Sequence, residues 1–177
     1  YSGTLHKLSN GIVEEDFEPY VAESNETFGF MSEAETCNSL LIESDYRDPN
    51  SVVYSSCPSR GLVPLLKQWP AVKAAVPAAR LDIYYDWSML EQMQPRKFEE
   101  VLAAYDAVKH LDVKHHGGVD HATLHAALRR TNVWAYSHFE STDVETFCIS
   151  AVKAQAAGAT VLTVPNGALP EVTFGAF

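Results

Sequence analysis

The sequence predicts an α/β protein built on a parallel sheet with helices on both faces, and three observations predict it. From Asn50 onward, short β-branched or apolar runs alternate with longer stretches of helical periodicity, the pattern of repeated βα units, which favours a parallel sheet covered by helices. The 177 residues suit one ordinary domain with a substantial core and are too few for two full α/β domains and a linker. A composition of 46% hydrophobic and 20% charged residues, with 9 Gly and 9 Pro, is that of a globular chain rather than a disordered or fibrous one.

The elements follow in order. Ser51, Val52, Val53, Tyr54 and Ser55 form the first expected strand, and a loop over residues 56–61 follows it. Leu62, Leu65, Leu66, Trp69, Val72 and Val76 then recur at helical spacing, with Pro70 expected to kink or restart the helix and Pro77 to end it. Residues 80–85 are the second strand, 89–108 one long helix and 113–115 the third strand. Asp120 is placed to cap a helix whose Leu124, Ala127 and Leu128 share a face. Strands are expected at 133–136 and 160–163, with a helix over 149–157 between them that Gly158 ends.

Charge divides the chain differently. The first 50 residues hold 11 acids against only Lys7 and Arg47, a balance of -9, and the remainder holds 12 acids against 11 bases, a balance of -1. Residues 1–48 therefore read as an acidic linker or N-terminal extension, with short helices expected near 14–20 and 33–41, and residues 49–177 as the α/β domain. A net charge of -10 excludes a polyphosphate partner, which demands a basic surface, so no nucleic acid is expected. No apolar run approaches the roughly 18 residues of a membrane span, and the first 30 residues lack a secretory pattern. Cys37, Cys57 and Cys148 are odd in number and widely spaced, which fits neither a disulfide framework nor a CxxC clamp. The expected compartment is the cytoplasm.

In open α/β sheets ligands bind beyond the carboxyl ends of the strands, so chemistry is sought in the loops that follow them. After the first strand, Ser55, Ser56, Ser59 and Arg60 combine hydroxyls with a cation, which suits phosphate oxygens or makes an ordinary polar turn. After the fourth, residues 137–150 run into a helix start, whose N–H groups and partial positive charge make a seat for a diphosphate. Glu145 there is placed either to accept hydrogen bonds from sugar hydroxyls or simply to face the helix dipole. After the fifth, Gly167 permits close approach of backbone to a ligand or serves a tight turn. His121 and His125 share a helix face at i, i+4, but no catalytic acid of the HExxH kind accompanies them and their expected side is the solvent, so no metal is expected.

Taken in order, the segments 55–62, 81–84, 116–120 with Leu124, 145–158 and 167–171 resemble retaining family 4 glycosyltransferases, also called glycosyl transferases group 1. The likeness covers about residues 49–171, and residues 8–12 resemble the interdomain segment that precedes the matching domain in that family. The resemblance implies the Rossmann-like C-terminal half of a GT-B fold, binding a nucleotide-diphosphate sugar such as a UDP- or GDP-sugar, with no further cofactor. It implies transfer of a hexosyl group with retained configuration to a saccharide, lipid or other acceptor, in partnership with an N-terminal acceptor-binding domain. Arg60 matches the base that pairs with the diphosphate, and Glu145 the first acid of a Glu-x7-Glu motif, so these two are the catalytic candidates. The resemblance also places Phe147, Cys148 and Ile149 near sugar and phosphate, Gly118 and Val119 near the base, and Ser55, Ser56 and His138 in the binding loops. Two departures stand out. Lys153 occupies the position of the second motif acid, and lysine cannot accept a hydrogen bond from ribose; Ser55 stands where a second base is usual. These departures keep open a rival reading, a non-catalytic binding domain of the same fold.

Overall fold

The computed structural model describes residues 47–139 and 144–173; the acidic lead and its two expected short helices lie outside them. Five strands form one sheet, β1 (Asp48–Tyr54), β2 (Arg80–Tyr84), β3 (Val113–Gly117), β4 (Thr131–Tyr136) and β5 (Thr160–Thr163). Six helices connect and follow them: α1 (Leu62–Ala75), α2 (Ser88–Met93), α3 (Pro95–Val108), α4 (His121–Arg130), α5 (Ile149–Ala156) and α6 (Leu169–Val172). The strand order is β3-β2-β1-β4-β5 and every pairing is parallel. This is the expected α/β Rossmann-like sheet, and its order reverses between β1 and β4.

Register follows from the apolar pattern. Val52 stands opposite Leu81 on one side and Val133 on the other, Leu81 opposite Val113, and Trp134 opposite Val161. The central strands carry buried residues on both faces, as parallel strands roofed by helices must: Val53 and Tyr54 of β1 and Trp134, Ala135 and Tyr136 of β4 are all buried. Helices α1 and α3 pack against each other, as do α4 and α5, so the two directions of winding from β1 place their helices on opposite faces. Leu62, Leu66 and Trp69 are the buried stripe of α1, and the Trp69 indole N–H donates to the Leu111 carbonyl at 2.7 Å.

Four expectations change. The helix expected over 89–108 is two, because Gln94 leaves helical geometry and Pro95, lacking an N–H, takes the first position of a new helix. Conversely, α1 runs unbroken through Pro70, which lies exposed beside the buried Leu66 and Trp69 that anchor the helix. That helix ends at Ala75, before Pro77, and Val76 is the exposed residue after it. On α4 the Asp120 carboxylate accepts from the Thr123 N–H at 2.7 Å, the expected cap, but His125 is buried with Leu128, whereas Leu124 is only half-buried. Docking rotates the buried stripe one position from the leucine face, so of the two histidines only His121 faces solvent. Among the described residues no group of three or more His, Cys, Asp or Glu is placed to hold a metal ion, and no helix is long and apolar enough to cross a membrane.

Candidate functional site

Where strand order reverses, the loops after β1 and β4 part in opposite directions and leave a crevice at the carboxyl edge of the sheet. The loop after β1 is fastened from below. The buried Tyr54 hydroxyl lies 2.7 Å from the Cys57 carbonyl oxygen and 2.8 Å from that of Arg60, and desolvation holds its pKa well above the usual phenol range. Gly61 turns the chain at φ 89°, and a Cβ there would stand 2.5 Å from the Ser137 backbone carbon, so only glycine lets the two loops approach. The Ser137 hydroxyl donates to the Gly61 carbonyl at 2.9 Å and joins them.

This fastening brings Arg60 to Glu145. The guanidinium Nη1 and the carboxylate Oε2 are 3.6 Å apart, with the arginine 40% exposed and the glutamate 6%. At that distance the contact is an ion pair and not a hydrogen bond. The shorter contacts to the carboxylate come from elsewhere. Oε2 accepts from the Tyr136 hydroxyl at 2.8 Å, and Oε1 accepts from the Cys148 N–H at 3.1 Å and the Phe147 N–H at 3.4 Å. Glu145 thus occupies the positive end of α5 itself, satisfying amides just before the helix. Its backbone is held too: its N–H donates to Asn166 Oδ1 at 3.4 Å, and its carbonyl accepts from the Ala168 N–H at 2.8 Å. Gly167, at φ 56°, lies so near that a Cβ would stand 2.0 Å from the Glu145 carbonyl oxygen. Asn166 Nδ2 donates in turn to the His138 carbonyl at 3.0 Å, tying the β5 loop to the β4 loop.

Cys148 enters α5 at φ 58°, a left-handed conformation rare outside glycine, and its thiol is buried. Desolvation, reinforced by Glu145, pushes that thiol up to about 12 from its ordinary 9.0, which makes it a poor nucleophile. Beyond Arg60 an open cleft of about 460 Å³ is lined by Ser56, Cys57, Ser59, Arg60, Tyr85, Gln94 and Ser150. Its volume lies within the range of small-molecule sites. Hydroxyls and a guanidinium dominate its wall, and the first turn of α5 opens beside it through Ser150.

The candidate residues fall into four places. Arg60, Glu145, Phe147, Cys148 and Ser56 meet at the crevice. Ser55 lies behind it, buried, its Oγ accepting from the Trp134 indole N–H at 2.9 Å and its carbonyl from the Ser150 hydroxyl at 3.0 Å. His138 is also fully buried beneath the crevice, whereas Ile149 is 40% exposed and Lys153 half-buried further along α5. Gly118 and Val119 stand past the end of β3, two strands away from β1, where Gly118 lies against the Asp86 side chain. Sequence reading passed over Tyr136, Tyr54, Tyr85, Gln94 and Asn166. The first two end buried strands and read as core; only their place at the last position of a strand, facing the ligand edge, could have singled them out.

No protein-family profile matches the chain, and no curated protein matches it. Its fold is nevertheless that of glycosyltransferases of the GT-B class, as solved structures make plain. The pneumococcal O-GlcNAc transferase GtfA, solved in complex with UDP and GlcNAc, superposes with a TM-score of 0.51 at 19% identity, over 71% of this chain and 23% of its own. HepE from Anabaena, in complex with UDP and glucose, gives 0.53 at 18%, over 80% of this chain and 36% of its own. A UDP-forming α,α-trehalose-phosphate synthase from Burkholderia xenovorans gives 0.59 at 12%, over 77% and 34%. The chain therefore spans about a quarter to a third of the length of these enzymes.

Proposed function

We propose that this chain is the nucleotide-sugar-binding domain of a retaining glycosyltransferase of family 4, and that it transfers a hexosyl group to a saccharide, lipid or other acceptor together with an N-terminal acceptor-binding domain. One observation carries the reading: Arg60 and Glu145, far apart in sequence, meet at the point where strand order reverses, beside an open cleft walled by hydroxyls. Two of the similar enzymes are seen with UDP bound and a third is UDP-forming, which supports a nucleotide donor for a chain of this fold.

In this reading Arg60 meets the donor diphosphate, helped by Ser56 and by the first amides of α5, and Glu145 accepts hydrogen bonds from sugar hydroxyls. Phe147, Cys148 and Ile149 supply backbone close to the sugar and phosphates, and Gly118 and Val119 lie toward the base. Negative charge building on the departing diphosphate is offset by the guanidinium and the helix start, fixed groups that need little reorganisation. Titration calorimetry with UDP- and GDP-sugars tests this directly. Binding at millimolar concentration or tighter, abolished in Glu145→Ala, is expected; no binding to any nucleotide sugar would remove the proposal. That second result would favour a non-catalytic binding domain of the same fold, for which Lys153 at the ribose-facing motif position is the specific observation.

A further inference from the structure

We infer that Tyr136 is a positioning residue of the donor site, holding the Glu145 carboxylate in place for the sugar when Arg60 is drawn to the diphosphate. The inference rests on the proposed role of Glu145 in donor binding.

The geometry ranks the partners of that carboxylate. Arg60 is 3.6 Å away and 40% exposed, the marks of a loose, water-screened pair. Tyr136 is 2.8 Å away and 1% exposed, and its hydroxyl donates to the same oxygen, Oε2. A buried hydrogen bond to an ionised acceptor is the stronger of the two. The ring has little freedom to let go: it stacks on Trp134 with centroids 5.3 Å apart, and Tyr54 and His138 flank it at 6.3 and 5.8 Å. Burial, reinforced by Glu145, raises the Tyr136 pKa far above the phenol range, and the hydroxyl remains a donor at every working pH.

Two anions then have two donors. A diphosphate entering the cleft competes with Glu145 for Arg60, whose contact with that carboxylate is loose. Without Tyr136, the departing guanidinium would leave Oε2 short of its best donor, and the carboxylate would turn from the geometry that a sugar needs. The free nucleoside diphosphate has no such requirement.

The test compares UDP-glucose and GDP-mannose, each against its own diphosphate, by calorimetry on the whole chain. Wild type, Tyr136→Phe, Glu145→Gln and the double variant are compared, with thermal melts confirming that each is folded. For the nucleotide sugar that binds, Tyr136→Phe should lose affinity by about tenfold or more while the diphosphate alone keeps its affinity within about twofold. In the Glu145→Gln background, Tyr136→Phe should add little. Equal losses for sugar nucleotide and diphosphate, or full additivity with Glu145→Gln, would overturn the inference. Proton NMR on wild type supplies a second reading: the Tyr136 hydroxyl proton should stay protected with the nucleotide sugar bound, and its disappearance would also overturn it. Unchanged binding in Tyr136→Phe defeats this inference alone; a wild type that binds neither nucleotide sugar defeats it together with the proposed function.

Discussion

Two glycines show how narrowly the crevice is built. Gly61 and Gly167 both have positive φ, and at each a methyl group would drive into backbone, that of Ser137 or that of Glu145. Alanine at either position must therefore distort the chain and displace a neighbouring loop. We expect Gly167→Ala to cost at least about 2 kcal/mol in urea unfolding and to weaken donor binding as well, since the loop it pushes carries Glu145. The cysteines make a contrasting pair. Cys57 is half-exposed on the cleft wall and Cys148 is buried, so iodoacetamide at pH 8 should label Cys57 well before Cys148; equal labelling would show that α5 opens readily. Cys148 also predicts an alkaline weakness. Its thiol holds its proton up to about 12 when folded but ionises near 9.0 otherwise, so its contribution to stability is complete below pH 9 and is lost as pH rises toward 12. Urea midpoints measured from pH 8 to 11 should fall, and fall less steeply in Cys148→Ala.

At the scale of elements, the strands and their order along the chain were legible because alternation of short apolar runs with helical periods is imposed by burial itself. The boundaries that differed did so for local reasons. Periodicity continues across Met93 and Phe98 and does not register that Pro95 restarts the chain, and it gives no weight to the packing that carries α1 through Pro70. His125 is the instructive miss, because a polar residue on an apolar face can be absorbed into the core when helix docking requires it. Caps were better founded. Asp120 caps α4, and the C-terminal end of α5 closes as expected, with Gly158 at φ 78° donating to the Gln155 carbonyl at 2.8 Å and Ala159 to that of Ala154 at 2.9 Å. Asp120→Ala should cost about 1 kcal/mol of stability and, since the cap adjoins only the base end of the proposed site, weaken donor binding far less than Glu145→Ala; a loss of affinity equal to that of Glu145→Ala would place the donor elsewhere.

Across the whole molecule, the site arises from topology rather than from any one motif. Loops after β1 and β4 are neighbours only because the strands themselves are neighbours, and β2, β3 and four helices intervene in sequence. Arg60 and Glu145 could be paired from the sequence because each follows a strand. What surrounds Glu145 could not, since the hydroxyl of Tyr136 and the amide of Asn166 are set by side-chain direction, on which apolar patterning is silent. The same topology makes a spatial prediction about the ligand, which should bridge the crevice at residues 56–61 and 145–150, reach with its base toward Gly118 and Val119, and leave the far faces of the sheet untouched. Backbone-amide NMR during titration with a nucleotide sugar measures this most directly. Shifts concentrated in those two segments, with smaller ones at Gly118 and Val119, are the expected result, and shifts gathered instead on α4 or in the hollow between β1, β2 and α4 around Arg80 and Arg130 would contradict the account.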